Sequence, residues 1–123
     1  MLRLAAERDE LRVVDDQVGA PTWSRMIAEA TALALKAPAP SEGLYHLACA
    51  GETSWYGFTA AILAATRTQR ARAPQLTPIP TRDYPLPAAR PANSRLDCSR
   101  LMRDARLELP HWHTALELCL ADA

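Results

Sequence analysis

The chain has 123 residues, 49% of them hydrophobic and 23% charged, and its 14 basic side chains balance 14 acidic ones. A chain of this length makes one ordinary domain and can bury roughly two-thirds of the surface its unfolded form exposes, so it needs neither disulfides nor a structural metal. Neutral charge and average apolar content disfavour disorder, and no run reaches the roughly 18 apolar residues of a membrane span, so a soluble cytoplasmic domain is expected.

In chain order, residues 1–10 read as a short helix with Leu2, Ala5 and Ala6 turned inward, followed over 11–14 by a β-branched strand ending in Asp15-Asp16. The apolar run at the very start is too short for a secretory signal, and no cleavage site follows it. Gly19-Ala20-Pro21-Thr22 reads as a turn. Thr22 or Ser24 then caps a helix whose Trp23, Met26, Ile27, Ala30 and Leu33 share one face, stopped before Pro38 and Pro40.

Residues 43–48 form a short apolar strand, and Ser54 caps a second amphipathic helix presenting Trp55, Phe58, Thr59, Ile62 and Leu63. Residues 76–80 can only be an edge strand, because Pro78 and Pro80 cannot donate to a ladder on both sides. Six of the ten prolines fall within 74–91, an ordered non-helical crossing or a flexible linker. Helices follow near 98–105 and at about 111–121, the last with Trp112, Ala115, Leu116, Cys119 and Leu120 on one face. About four helices and three short strands make an α/β domain over residues 1–123, with a thin parallel sheet whose faces and edges are incompletely covered.

Several chemistries are excluded by residue type. The four glycines, Gly19, Gly43, Gly51 and Gly57, cannot be arranged into a Gly-rich phosphate cradle. A tyrosine with lysine four residues on is also missing, since Cys49, Ala60 and Ala88 follow Tyr45, Tyr56 and Tyr84 at that spacing. No Ser/His/Asp or Cys/His nucleophile arrangement stands out. Cys49, Cys98 and Cys119 are far apart in apolar company and read as reduced thiols. His111 and His113, two residues apart at a helix start, point in different directions and read as surface histidines rather than metal ligands. Asp15-Asp16 is either a solvated strand end or a holder of a cation or sugar hydroxyl.

Residues 1–62 carry 5 basic and 8 acidic groups and residues 63–123 carry 9 and 6, so the halves stand at −3 and +3. Arg67, Arg70, Arg72, Arg82, Arg90 and Arg95 form a proline-punctuated basic stretch, but Tyr84 is its only aromatic neighbour and the chain is neutral, which argues against nucleic acid. One arginine gripping a diphosphate in two places, Arg90 or Arg95 beside Asn93, needs no large basic field.

Four blocks in register carry a resemblance: Val13-Val14-Asp15-Asp16-Gln17 with Gly19-Ala20-Pro21-Thr22; Gly43-Leu44-Tyr45-His46-Leu47; Gly51-Glu52-Thr53-Ser54-Trp55-Tyr56-Gly57-Phe58; and Arg90-Pro91-Ala92-Asn93-Ser94-Arg95-Leu96-Asp97. Together, over essentially the whole chain, they resemble the C-terminal, substrate-binding part of the dTDP-4-dehydrorhamnose reductase family, within the extended short-chain dehydrogenases/reductases. The resemblance implies a partial Rossmann-type domain. It implies a complete enzyme that reduces the 4-keto group of a dTDP-sugar with NADPH or NADH, while the cofactor turn and the Tyr-x-x-x-Lys pair belong to an N-terminal half absent from this sequence. No catalytic residue, bound cofactor or metal is expected in this chain alone, and Met1 falls inside the family's sequence.

By the same resemblance Arg90 meets the diphosphate with Asn93 beside it, Gln17, Gly19, Pro21 and Thr22 approach the sugar nucleotide, and His46 stands at a strand end near the ligand, or else is a core histidine. Trp55 is core, or lines the sugar pocket. The expected partners are a dTDP-sugar, bound weakly by the chain alone, and either a second copy or the Rossmann half, with no nucleic acid and no membrane. The rival reading is a non-catalytic binding or assembly protein derived from the family.

Overall fold

The computed structural model describes residues 1–36, 42–69 and 72–122, so Pro38 and Pro40, expected to stop the second helix, and Arg70 of the basic stretch lie outside the described residues. In chain order the elements are α1 (Leu2–Glu7), β1 (Glu10–Val14), β2 (Val18–Gly19), α2 (Ser24–Lys36), β3 (Cys49–Ala50), β4 (Thr53–Ser54), α3 (Trp55–Ala65), β5 (Gln75–Ile79), α4 (Ser99–Ala105), β6 (Leu109–His111) and α5 (Trp112–Ala121). The fold class is α/β, with short, mostly parallel strands. In place of one thin sheet, the described residues form three two-stranded pairs: β1 with β5 and β3 with β6, both parallel, and β2 with β4, antiparallel.

Two compact units divide the chain, each made of two separated stretches: Met1–Gly19 with Thr53–Ser94, and Ala20–Glu52 with Arg95–Ala123. The core of the first is Ala5, Leu11 and Val13, with Leu4, Tyr56, Leu63 and Leu76 against them. In α1 it is therefore Leu4 and Ala5 that turn inward, while Leu2 and Ala6 face out. Ser54 caps α3 as expected, its hydroxyl oxygen accepting the Gly57 N–H at 2.9 Å. Thr59 and Ile62 are the buried positions of that helix, and Trp55 at its first turn is 54% exposed rather than core.

β5 behaves as its prolines require. The Gln75 N–H donates to the Asp9 carbonyl and the Asp15 N–H to the Ile79 carbonyl, so the odd-numbered residues of β5 bond to β1. Pro78, at an even position, has its missing donor on the other side.

In the second unit Leu101, Trp112, Ala115, Leu116, Ala30 and Cys49 are buried. The inward face of α2 runs Met26, Ala30, Ala34, and the expected Ile27 and Leu33 are 39% and 55% exposed. Residues 43–48 are not a strand. The carbonyls of Glu42 and Leu44 accept from the Arg100 guanidinium at 3.2 and 3.1 Å, and that guanidinium also lies 4.6 Å over the Tyr45 ring, so α4 holds the segment where a ladder was expected. The strand comes later, at Cys49–Ala50, pairing with Leu109 and His111 and skipping Pro110, which has no N–H to offer.

Candidate functional site

β1 and β5 run parallel and end together at Val14 and Ile79, and the residues just beyond those ends are tied to one another. The Asp16 carboxylate accepts the Thr81 backbone N–H at 2.9 and 3.0 Å and the Thr81 hydroxyl at 2.5 Å. Those Thr81 donors hold the Asp16 carboxyl below the ordinary aspartate value, the hydroxyl first and the backbone second. Gln17 Nε2 in turn donates to Thr81 Oγ1 at 3.0 Å. Asp15 is likewise engaged, accepting the Ser54 hydroxyl at 2.5 Å. The tandem aspartates are thus an exposed strand end, as expected, and each also joins that end to a neighbour, Asp15 to Ser54 and Asp16 to Thr81.

From Gln17 the chain passes into β2, which fixes the segment that follows Arg90. Val18 N–H donates to the Ala92 carbonyl and Ser94 N–H to the Val18 carbonyl, both at 2.8 Å, so Val18 and Asn93 bridge in parallel. Gly19 is a strand residue opposite Thr53 and not part of a turn. A Cβ built on Gly19 would meet the Ser94 Cβ at 3.5 Å, an ordinary contact. The pairing sets the 90–94 segment beside Gln17. Gln17 and Arg90 share a cleft of about 440 Å³ with Val14, Trp55, Tyr84 and Leu86.

The lining of this cleft also follows β1 through Leu11, Arg12, Val13 and Val14. Successive strand side chains point to opposite faces, so a cleft that touches four in a row meets the strand along its edge. Arg90 is exposed there and enters no ion pair among the described residues. A half-exposed tryptophan and tyrosine, aliphatic side chains, an amide and the guanidinium groups of Arg8, Arg12 and Arg90 together offer stacking surface, hydrogen-bond donors and an acceptor.

Pro21, Thr22 and His46 fall in the second unit. Pro21 is half-buried. The Thr22 hydroxyl does not cap α2: it donates to the Ala20 carbonyl and accepts the Cys49 N–H, both at 3.0 Å, while the Trp23 carbonyl takes the first helical bond from Ile27. His46 is exposed and lies before β3, so it is neither at a strand end nor in the core. It adds to the field on Asp97, whose carboxyl is lowered mainly by the Ser99 backbone N–H and hydroxyl. Arg95, the alternative cation, is held by Glu52 at 2.6 Å. This unit has its own cavity of about 400 Å³, lined chiefly by apolar residues with the Arg95 and Glu52 pair. His111 Nδ1 accepts the His113 N–H at 3.3 Å, capping α5.

Thr81, Tyr84 and Leu86 were not expected at the site. Thr81 had a signal: it follows the end of a strand parallel to β1, as Asp16 follows β1 itself, and α/β sheets bind ligands past the carboxyl ends of their strands.

The family model described as "RmlD substrate binding domain" matches residues 1–123. A dTDP-4-dehydrorhamnose reductase of Burkholderia thailandensis is 48% identical over 99% of this chain and 45% of its own length. The enzyme of the same name from Escherichia coli K12 is 40% identical, over 98% and 42%. Among solved structures, a dTDP-4-dehydrorhamnose reductase from Bacillus anthracis in complex with NADP superposes with a TM-score of 0.88 at 27% identity, covering 99% of this chain and 41% of that one. A Clostridium acetobutylicum orthologue does so with a TM-score of 0.86 at 30% identity, covering 99% and 42%. The chain thus spans less than half the length of the relatives it matches.

Proposed function

Because the chain belongs to the RmlD substrate binding domain family, we propose that it is the substrate-gripping part of a dTDP-4-dehydrorhamnose reductase acting in the cytoplasm, and that the cleft holding Gln17 and Arg90 receives the dTDP-sugar. The convergence of these two residues, 73 positions apart in sequence, on one cleft carries the reading. Arg90 is a permanent cation whose planar fork matches two phosphoryl oxygens, and Pro91 stiffens its approach. Asn93 and Gly19 serve through the strand pairing that brings the Arg90 segment beside Gln17. Pro21, Thr22 and His46 belong to the other unit, and Thr22 works there as a joint.

The residues present do not fit NADP. All four glycines are committed elsewhere, Gly19 in β2 and Gly57 in α3, while Gly43 packs under the Arg100 guanidinium and Gly51 under the His111 ring. None forms a phosphate-binding turn, so cofactor binding and proton delivery fall to the cofactor half of a complete reductase. That half is the partner we propose, and the edge of β1 away from β5, which pairs with no strand among the described residues, supports it.

The test is calorimetric titration of dTDP and dTDP-L-rhamnose into the chain and into Arg90→Ala. Loss of a charge-assisted contact to phosphate should weaken both ligands by about tenfold or more. Equal binding by the variant removes Arg90 from the site, and no binding by the unaltered chain sinks the reading.

A further inference from the structure

The hydrogen bonds beyond β1 and β5 have a direction, and that direction constrains what Gln17 can recognise. Asp16 is a carboxylate and only accepts; it takes both protons that Thr81 has, from the backbone N–H and from the hydroxyl. The Thr81 oxygen, having given its proton away, can only accept from its remaining partner. Gln17 must therefore turn its NH₂ toward Thr81, as the 3.0 Å contact from Nε2 shows. An amide whose orientation would otherwise be open to a flip is set by its neighbours.

We propose that Thr81, held by Asp16, is a positioning residue that fixes the Gln17 amide so that its carbonyl oxygen faces the cleft and accepts from a hydrogen-bond donor of the ligand. This deepens the reading above and rests on it. Gln17 then complements Arg90: the guanidinium takes the diphosphate, which only accepts, and the Gln17 oxygen takes a group that donates, a sugar hydroxyl or the imide N–H of the base. A carboxylate at position 17 has no proton to give Thr81, so glutamate cannot replace the amide.

The variants are Thr81→Val, which keeps the shape and the backbone N–H but has no oxygen for Gln17, and Thr81→Ser, which restores the hydroxyl. Nitrogen-15 correlation spectra report the fold through the backbone amides and the positioning through the side-chain NH₂ pair of Gln17. The pair should be dispersed in the unaltered chain and in Thr81→Ser, and collapse to free-amide positions in Thr81→Val with the backbone spectrum otherwise preserved. Affinity for the recognised ligand should fall about fivefold in Thr81→Val, the factor carried by one net hydrogen bond, and return in Thr81→Ser. A fall for dTDP-L-rhamnose but not dTDP assigns the donor to the sugar; an equal fall for both assigns it to the base. Gln17 resonances already at free-amide positions in the unaltered chain, or unchanged in Thr81→Val, overturn the proposal. So does unchanged affinity for both ligands. If the unaltered chain binds neither ligand while the Gln17 pair behaves as described, the dTDP-sugar reading falls, and with it the ligand half of this proposal.

Discussion

Ser54 joins two elements through one oxygen atom: its hydroxyl donates to Asp15 at 2.5 Å while the same oxygen accepts the Gly57 N–H at 2.9 Å. The end of β1 is thereby fastened to the start of α3, and α3 is the helix whose Thr59 and Ile62 are buried in the same unit. Ser54→Ala removes the helix cap and the partner of Asp15 together. We expect a loss of about 1–2 kcal/mol in urea denaturation, the upper part of the range for an N-cap. Asp15→Asn keeps the cap and should cost less; equal losses from the two variants would show that the cap itself contributes little.

The parts of the fold that could be read from sequence are those whose signal is local. Ser54 before an apolar run marks a helix start, β-branched residues ending in Asp15-Asp16 mark a strand, and Pro78 and Pro80 mark an edge. What could not be read depends on distant partners. Residues 43–48 have a strand's composition, but Arg100, more than fifty positions on, binds carbonyls at Glu42 and Leu44. β6 is three residues with a proline in the middle, and only its pairing with Cys49 and Ala50 makes it a strand. Helical spacing turns Trp55 inward, but at the first turn of α3 it meets the cleft instead. In the proposed site, Arg90 and Gln17 can be read as residue types and as family motifs, whereas Thr81 depends on the parallel pairing of β1 with β5.

Stability should depend on pH through Asp16. Its carboxyl lies below the ordinary aspartate value because Thr81 donates to the charged form, first from the hydroxyl. A depressed folded-state value means the contribution is fully present above the unfolded value, about 3.9, and is lost as pH falls through the lower folded value. Denaturation midpoints measured from pH 6 downward should decline in this acid window, and Asp16→Asn should flatten that part of the profile. An unaltered slope in Asp16→Asn would mean that other carboxylates set it.

Gly51 should not accept a side chain. Its φ is +77°, a region that L residues rarely adopt, and a Cβ there would run into the His111 ring. Gly51→Ala therefore combines backbone strain with a clash against the residue that caps α5, and a loss of about 1–3 kcal/mol is expected. Gly51→Ala combined with His111→Ala separates the two causes. If the double variant is no more stable than the sum of the single losses predicts, the clash contributes nothing and the strain is everything.

Cys49 should be chemically silent in the folded chain. Burial pushes its thiol up, outweighing the opposite effect of contacts with the Thr22 hydroxyl and the Trp23 backbone, so little of the reactive thiolate forms at neutral pH. Cys98 and Cys119 are only half-buried, and none of the three is in a disulfide. Titration with Ellman's reagent at mildly alkaline pH should label Cys98 and Cys119 first and Cys49 only after urea is added, with mass spectrometry assigning each label. The Thr22→Val variant provides the control. It deletes the hydroxyl that accepts the Cys49 N–H, and early labelling of Cys49 in this variant alone would show that the joint, and not burial by itself, protects the thiol. Early labelling of Cys49 in the unaltered chain would contradict its place in the core.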